Sequence, residues 1–365
     1  MGGRQQPEVQ AEMQNPTRAR GKRLAAEPAA LLQALDRGAD EALLREALAH
    51  AHYRPVARAA ELAADGLHYA LEGALMESFR RLAALDHKHD PGCIAKGAIA
   101  RALVALDCLN AGFYREGIEL RQPEPVWGGS VDTAADVRAS CAMGLAASGG
   151  ADALLDLADL LADPEHRARI GAVRAIGCTQ PLPAAAVLRT KALLGDAEPE
   201  VIGECFRALL ALPVEGAAAF VARWLDGPPG LRPDAGAGPG AQNSAAAELT
   251  ELAALALGES RQDAAVARLR ARWEAAPWHR PADRVLLRAA AMARSRVAFD
   301  WLLGLAADAD RASATWVIEE LTPYRHNRRL AEDLRARLAA RGDADLLAAY
   351  AKGFEAPDEA RGPTP

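Results

Sequence analysis

Apolar residues recur along most of this chain at spacings of three and four, and many inward positions carry small side chains. One stretch places Ala168, Ala172, Ala175 and Ile176 on a single face; another does the same with Val137, Cys141, Gly144 and Leu145. That period is the stripe of an amphipathic helix, not the alternation of a half-buried strand. Second apolar stripes lie between these, at Ala151–Leu161, Ala184–Leu194, Ala217–Leu225, Ala264–Trp273 and Ala298–Leu305. The equivalent positions 137, 168, 201, 249, 285 and 313 are separated by 28 to 48 residues, most of them by thirty-odd. A helix pair at that period predicts an array in which each repeat buries its apolar face on the next.

A polar signature accompanies the stripe: an Asp, four residues, a small apolar residue, then Arg or Lys. It appears as Asp90–Lys96, Asp132–Arg138 and Asp163–Arg169, and weakens to Asp196–Ile202 further on. An Asp at a helix start can accept from free backbone N–H groups of the first turn. Followed by Ala172, Ala175, Ile176 and Gly177, the third copy resembles the HEAT repeat, in the short bacterial form also found in phycobilin lyases. The resemblance covers residues 40 to 350 and implies an all-α, right-handed α-solenoid of stacked antiparallel helix pairs with no β-sheet. It also implies that Asp90, Lys96, Asp132, Arg138, Asp163 and Arg169 form a structural ladder between repeats, and that the second helices line a concave face.

The organisation expected along the chain is a basic, disordered tail over 1–23, an irregular helical cap over 24–90, and the array over 91–354. Residues 67–85 should be the longest helix of the cap. A Gly- and Pro-rich insertion, 227–243, has almost nothing to bury and is expected to be mobile. Residues 355–365 are expected to be a frayed tail.

Composition narrows the class. Half of the residues are hydrophobic but only 5% are aromatic, and about a quarter are alanine, which suits close-packed helices and not a sandwich or barrel. No apolar run is long enough to span a membrane. The net charge of -6 gives no general attraction to nucleic acid or anionic lipid. Five separated cysteines, with no C-x-x-C pair, suit a reducing cytoplasm. Only five of 43 basic residues are Lys, a bias that points to a GC-rich, bacterial source.

Candidate chemistry is sparse. His87, His89, Asp90 and Cys93 are metal-ligand types, but they lack a second ligand pair at zinc-site spacing and read as a structural turn. Arg268, Arg270, Arg272, Trp273, Trp278, His279 and Arg280 make a basic-aromatic cluster that could stack on and neutralise nucleic acid, a reading weakened by Asp263 and Glu274 beside it. No catalytic motif, metal site or cofactor fingerprint stands out. The segment Leu120–Val131 interrupts the period with two prolines, Gly128–Gly129 and Trp127. Trp127 is expected to fold back over the core between repeats. Alternatively the segment is a surface binding loop, with Trp127 as anchor and Arg121 and Glu124 as polar contacts. The expected function is a non-catalytic scaffold that binds a protein partner. The competing class is an enzyme or enzyme accessory, resembling a chromophore lyase or, less well, a DNA glycosylase.

Overall fold

The computed structural model describes residues 27–150, 152–227, 229 and 239–355, with the backbone alone over 239–243. The basic tail, the central part of the insertion and the last ten residues lie outside these. The chain divides into two compact units, 1–175 and 176–365.

Unit 1 carries α1 (Pro28–Arg37), α2 (Glu41–Leu48), α3 (Tyr53–Asp65), α4 (Glu72–Ala83), α5 (Ile94–Ala105) and α6 (Ala111–Glu119). A short β1 (Pro123–Val126) and β2 (Gly129–Asp132) follow, then α7 (Ala135–Ala147), α8 (Ala153–Leu160) and the start of α9 (His166–Gly177). Alternate helices stack: α1 on α3, α3 on α5, α5 on α7, with α2 on α4 in a second row. The middle of the first row is enclosed on several sides, and α5 buries Ala95, Lys96, Gly97, Ala98, Ile99, Ala100, Ala102 and Leu103. A helix buried nearly all round loses its amphipathic stripe, so small residues there are what close packing requires. Glycine does the same elsewhere: a Cβ at Gly144 would lie 2.2 Å from the Tyr114 ring, and one at Gly171 2.4 Å from Ala139.

Helices α3, α5 and α7 end alike. The residue two past each helix, Leu67, Asp107 or Gly149, has φ of 52°, 52° and 68°. At the first two, the next amide bonds back into the last turn: His68 N donates to Ala63 O and Cys108 N to Leu103 O. This left-handed stop satisfies carbonyls that the helix leaves free. It also corrects the cap: residues 67–85 are not one helix, because Leu67 turns the chain and only α4 is regular. The longest helix of that region is α3.

Unit 2 contains α10 (Pro181–Leu194), α11 (Pro199–Ala211), α12 (Ala217–Val221), α13 (Pro239–Glu259), α14 (Asp263–Glu274) and α15 (Arg284–Ala293). It ends with α16 (Arg296–Asp308), α17 (Arg311–Leu321), α18 (Arg328–Arg341) and α19 (Ala344–Tyr350). One row runs α11, α13, α15, α17, α19; the other runs α12, α14, α16, α18. Because α13 starts at Pro239, the expected mobile insertion is too long at its far end. Proline is tolerated in the first helical turn, where its missing N–H has no partner to lose. No helix among the described residues is long and apolar enough to cross a membrane.

Among the described residues the all-α expectation holds, but the expected absence of any β-sheet is corrected at one place. Residues 120–133 contain an antiparallel hairpin, with Pro123 opposite Asp132, Glu124 opposite Val131, Pro125 opposite Ser130 and Val126 opposite Gly129. Two prolines at alternate positions break a helix but not an edge strand, provided their missing N–H groups face away from the ladder. Gly128, at φ 89°, closes the two-residue loop in a region that favours glycine.

Candidate functional site

The hairpin rises from the polar ladder of unit 1, and each face of its base meets a different rung. On one face Asp90 is fully buried and accepts from Ala95 N at 2.8 Å and Lys96 N at 3.0 Å. Lys96 Nζ lies 3.0 Å from the same carboxylate, itself fully enclosed. Gln122 donates to Asp90 O at 2.9 Å and to Glu124 Oε1 at 2.8 Å, and Glu124 also accepts from Thr133 Oγ1 at 2.8 Å and Gly92 N at 2.6 Å. On the other face Arg138, wholly buried, donates to Asp132 at 2.7 Å, to Leu120 O at 2.9 Å and to Asp163 at 2.9 Å. Arg121 donates to the second oxygen of Asp163 at 2.9 Å. Arg169 closes this rung with bonds to Asp163 O and Pro164 O.

The proposed ladder residues therefore come together as two rungs, Asp90–Lys96 and Asp132–Arg138–Asp163–Arg169, with the hairpin base between them. Asp132 does more than meet a helix start, since its carboxylate accepts from Gln122 N and Ala134 N and so ties both ends of the hairpin.

Of the three expected binding residues, the structure separates one from the other two. Trp127 stands at the hairpin tip with 103% of its reference area exposed. The expectation that it covers the core is wrong. A two-residue loop projects its first residue beyond the strands, whereas a loop collapsed on the helices would have folded it inward. Glu124 and Arg121 place their charges at the base, where Glu124 meets Gln122, Thr133 and Gly92 N and Arg121, half exposed, meets Asp163. Flanking Trp127, Val126 and Val131 are about half exposed.

The carboxylates at the base are tuned by these contacts. Burial works to raise Glu124, but hydrogen bonds from Gln122, Thr133 and Gly92 N outweigh it and hold the carboxyl below its ordinary value. Asp132 is likewise lowered: burial opposes, while Gln122 N, Ala134 N and Arg138 prevail. A carboxyl depressed in the fold contributes stability above its ordinary pKa and loses it as the pH falls through the depressed value. Acidification below about pH 4 should therefore loosen the hairpin base. The Gly92 amide shift should titrate with a midpoint under the ordinary Glu value, and in Glu124→Gln that titration should vanish.

Elsewhere the chemistry is muted. Burial pushes the Cys93 thiol up to about 11 and those of Cys141 and Cys205 up to about 12, which keeps them protonated and poor as nucleophiles at neutral pH. No three potential metal ligands converge among the described residues. In the basic-aromatic segment Trp273 is buried and stacked on His279 at 3.6 Å, while Trp278, Arg268, Arg270 and Arg280 are exposed. Arg270 pairs with Glu274 at 2.7 Å and Arg272 with Asp226 at 2.8 Å. A cavity of about 670 Å³ in unit 2 is lined by Arg272, Arg280, Arg284 and Arg288 together with Asp226, Glu248, Glu251 and Asp283. Its cations and acids are balanced, and Arg284 is already engaged by Glu319 and Glu320.

The chain matches no family model and no curated protein. Among solved structures it is similar to a crystal structure of an engineered protein, with 16% identity, 93% of each chain covered and a TM-score of 0.38. That likeness is too slight to carry an argument.

Proposed function

We propose that this chain is a non-catalytic, HEAT-like α-solenoid scaffold whose hairpin presents Trp127 to a protein partner in the cytoplasm. The observation that carries this reading is a fully exposed Trp on a hairpin whose base is pinned by buried ion pairs. Rigid loops on regular scaffolds place specificity without disturbing the stack, and Trp is enriched among residues that dominate interface energies. Arg121, Glu124, Asp132 and Arg138 then act by positioning. The solenoid part of the reading is supported by the stacking of alternate helices within each unit and by the recurring left-handed helix stops. Five unpaired cysteines, four of them buried, support the location.

Trp127→Ala tests it. Lost burial should be negligible, so the urea midpoint should match wild type. Quantitative recovery of the partner from the source organism's lysate should fall as for the loss of about 2 kcal/mol or more, roughly thirtyfold in affinity. Early unfolding of the variant, or undiminished recovery, would overturn the proposal.

A further inference from the structure

We propose that the turns leading into α16 and α18 form a basic edge of unit 2 that takes a short acidic segment, a run of Asp and Glu, of another protein. This does not rest on the Trp127 reading, since it uses other residues and another chemistry.

Residues 293–299 and 322–331 contain Arg294, Arg296, Arg325, Arg328 and Arg329, with His326 and no acid. The two turns adjoin. The Arg294 guanidinium lies 5.5 Å from the centre of the Tyr324 ring, and that ring packs edge-to-face with Phe299 of α16, centroids 5.7 Å apart. Arg296 opens α16, Arg328 and Arg329 open α18, and neither first turn holds an acid. The positive end of a helix favours acids, so three arginines there are unfavourable for the fold taken alone. Together with Arg294, all three are exposed.

The other row of unit 2 shows how such charges are usually met. Arg284 and Arg311 also open helices, α15 and α17, yet each reaches two carboxylates further along the chain: Glu319 and Glu320, and Asp343 and Asp345. On the basic edge, Arg294 and Arg329 form no ion pair among the described residues. Arg296 meets only Asp300, at 3.5 Å, and Arg328 only Glu332, at 3.7 Å, among side chains 61% to 90% exposed. Pairs of that kind are weak and yield readily to another anion.

The edge selects carboxylates on a short chain. Arginine forks match carboxylates two bonds at a time, and Arg294 is already held over Tyr324. Nucleic acid favours exposed rings to stack on, but Tyr324 and Phe299 pack on each other. A bilayer needs an apolar wedge, and Val297 is the one large apolar side chain exposed on the two turns. Screening confines each charge to a reach of about 8–10 Å at physiological salt. Packed helices lie about 8–10 Å apart, and an extended segment of three residues spans about 10 Å. Such a segment senses this edge alone. A larger polyanion runs past it and meets a chain whose formal charge is -6.

The test titrates labelled hexaglutamate into the full chain and reads fluorescence anisotropy. Binding should saturate and should weaken several-fold between about 50 mM and about 200 mM salt. The double variant Arg328→Ser, Arg329→Ser should bind at least about tenfold more weakly, and its melting temperature should equal or exceed the wild type's, because the helix start loses two misplaced cations. Arg337→Ser is the charge-matched control: it is exposed on the same helix, away from the turn, and should change affinity less than about twofold. Trp127→Ala should bind as wild type does. Equal losses in the double variant and the control, undiminished binding in the double variant, or an early melt of it would each overturn the proposal. So would tighter binding of oligothymidylate or of phosphatidylserine vesicles than of hexaglutamate.

Discussion

Arg138→Leu is expected to destabilise unit 1 by about 3–5 kcal/mol, the cost of breaking a buried ion pair from one side. The guanidinium is wholly enclosed and binds Asp132, Asp163 and the Leu120 carbonyl. Its loss leaves the Asp163 carboxylate, also wholly enclosed, with Arg121 as its one remaining ion pair among those described here, and Arg121 is half exposed. Leucine replaces volume but supplies no donor, so the carboxylates must protonate, admit water or move apart. Arg167→Ala is the control: its pair with Asp136 is exposed at both ends, and its removal should change stability by less than about 1 kcal/mol. Because the chain has two units, hydrogen exchange read separately in each should accompany urea unfolding. Protection should be lost in α7 and the hairpin while α13 to α17 keep theirs. Equal effects of the two substitutions would show that the ladder is not what holds the hairpin.

The second large effect is expected from Gly258→Ala. An added Cβ would lie 2.2 Å from the Ala289 carbonyl oxygen, 2.7 Å from its carbon and 2.8 Å from its Cα. All three are backbone atoms, so no side chain can swing away, and α13 and α15 must separate. Alanine brings about 1 kcal/mol of helix propensity, but overpacking against a fixed backbone should reach or exceed the upper end of about 1–3 kcal/mol. The net expectation is a loss of about 2 kcal/mol or more from unit 2. Gly304→Ala, in the interior of α16 with nothing within 4 Å of the new Cβ, should have the opposite sign and stabilise by about 0.5–1 kcal/mol. Thermal melts of the two variants check the reversal.

The period of the apolar stripes and the Asp-x4-small-Arg signature were legible because both are local. A helix face repeats every three or four residues wherever it packs, and a carboxylate near a helix start finds N–H groups two to six residues on. Asp90 and Asp163 meet that expectation directly, with bonds to Ala95 N, Lys96 N and Glu165 N. The bond from Arg138 to Asp163 spans 25 residues, and the spacing within one copy of the signature does not reveal it.

What only the tertiary structure decided lies between residues 120 and 133. Pro123, Pro125 and the two glycines state that no helix forms there, and the alternate spacing of the prolines was the available sign of an edge strand. Whether Trp127 pointed in or out depended on which groups captured the base. Gln122, Glu124, Thr133 and Asp132 are common polar residues whose local bonds, Gln122 to Glu124 and Ala134 N to Asp132, do not by themselves fix the direction of the hairpin. Their distant partners, the Asp90 carbonyl and Gly92 N, lie 32 residues away and reach them only once α5 and α7 are stacked. Sequence by itself determined the helices, because their hydrogen bonds close within four residues. The rigid hairpin and its exposed Trp127 had to wait for the packed helices, because the bonds that hold them cross from one repeat to the next.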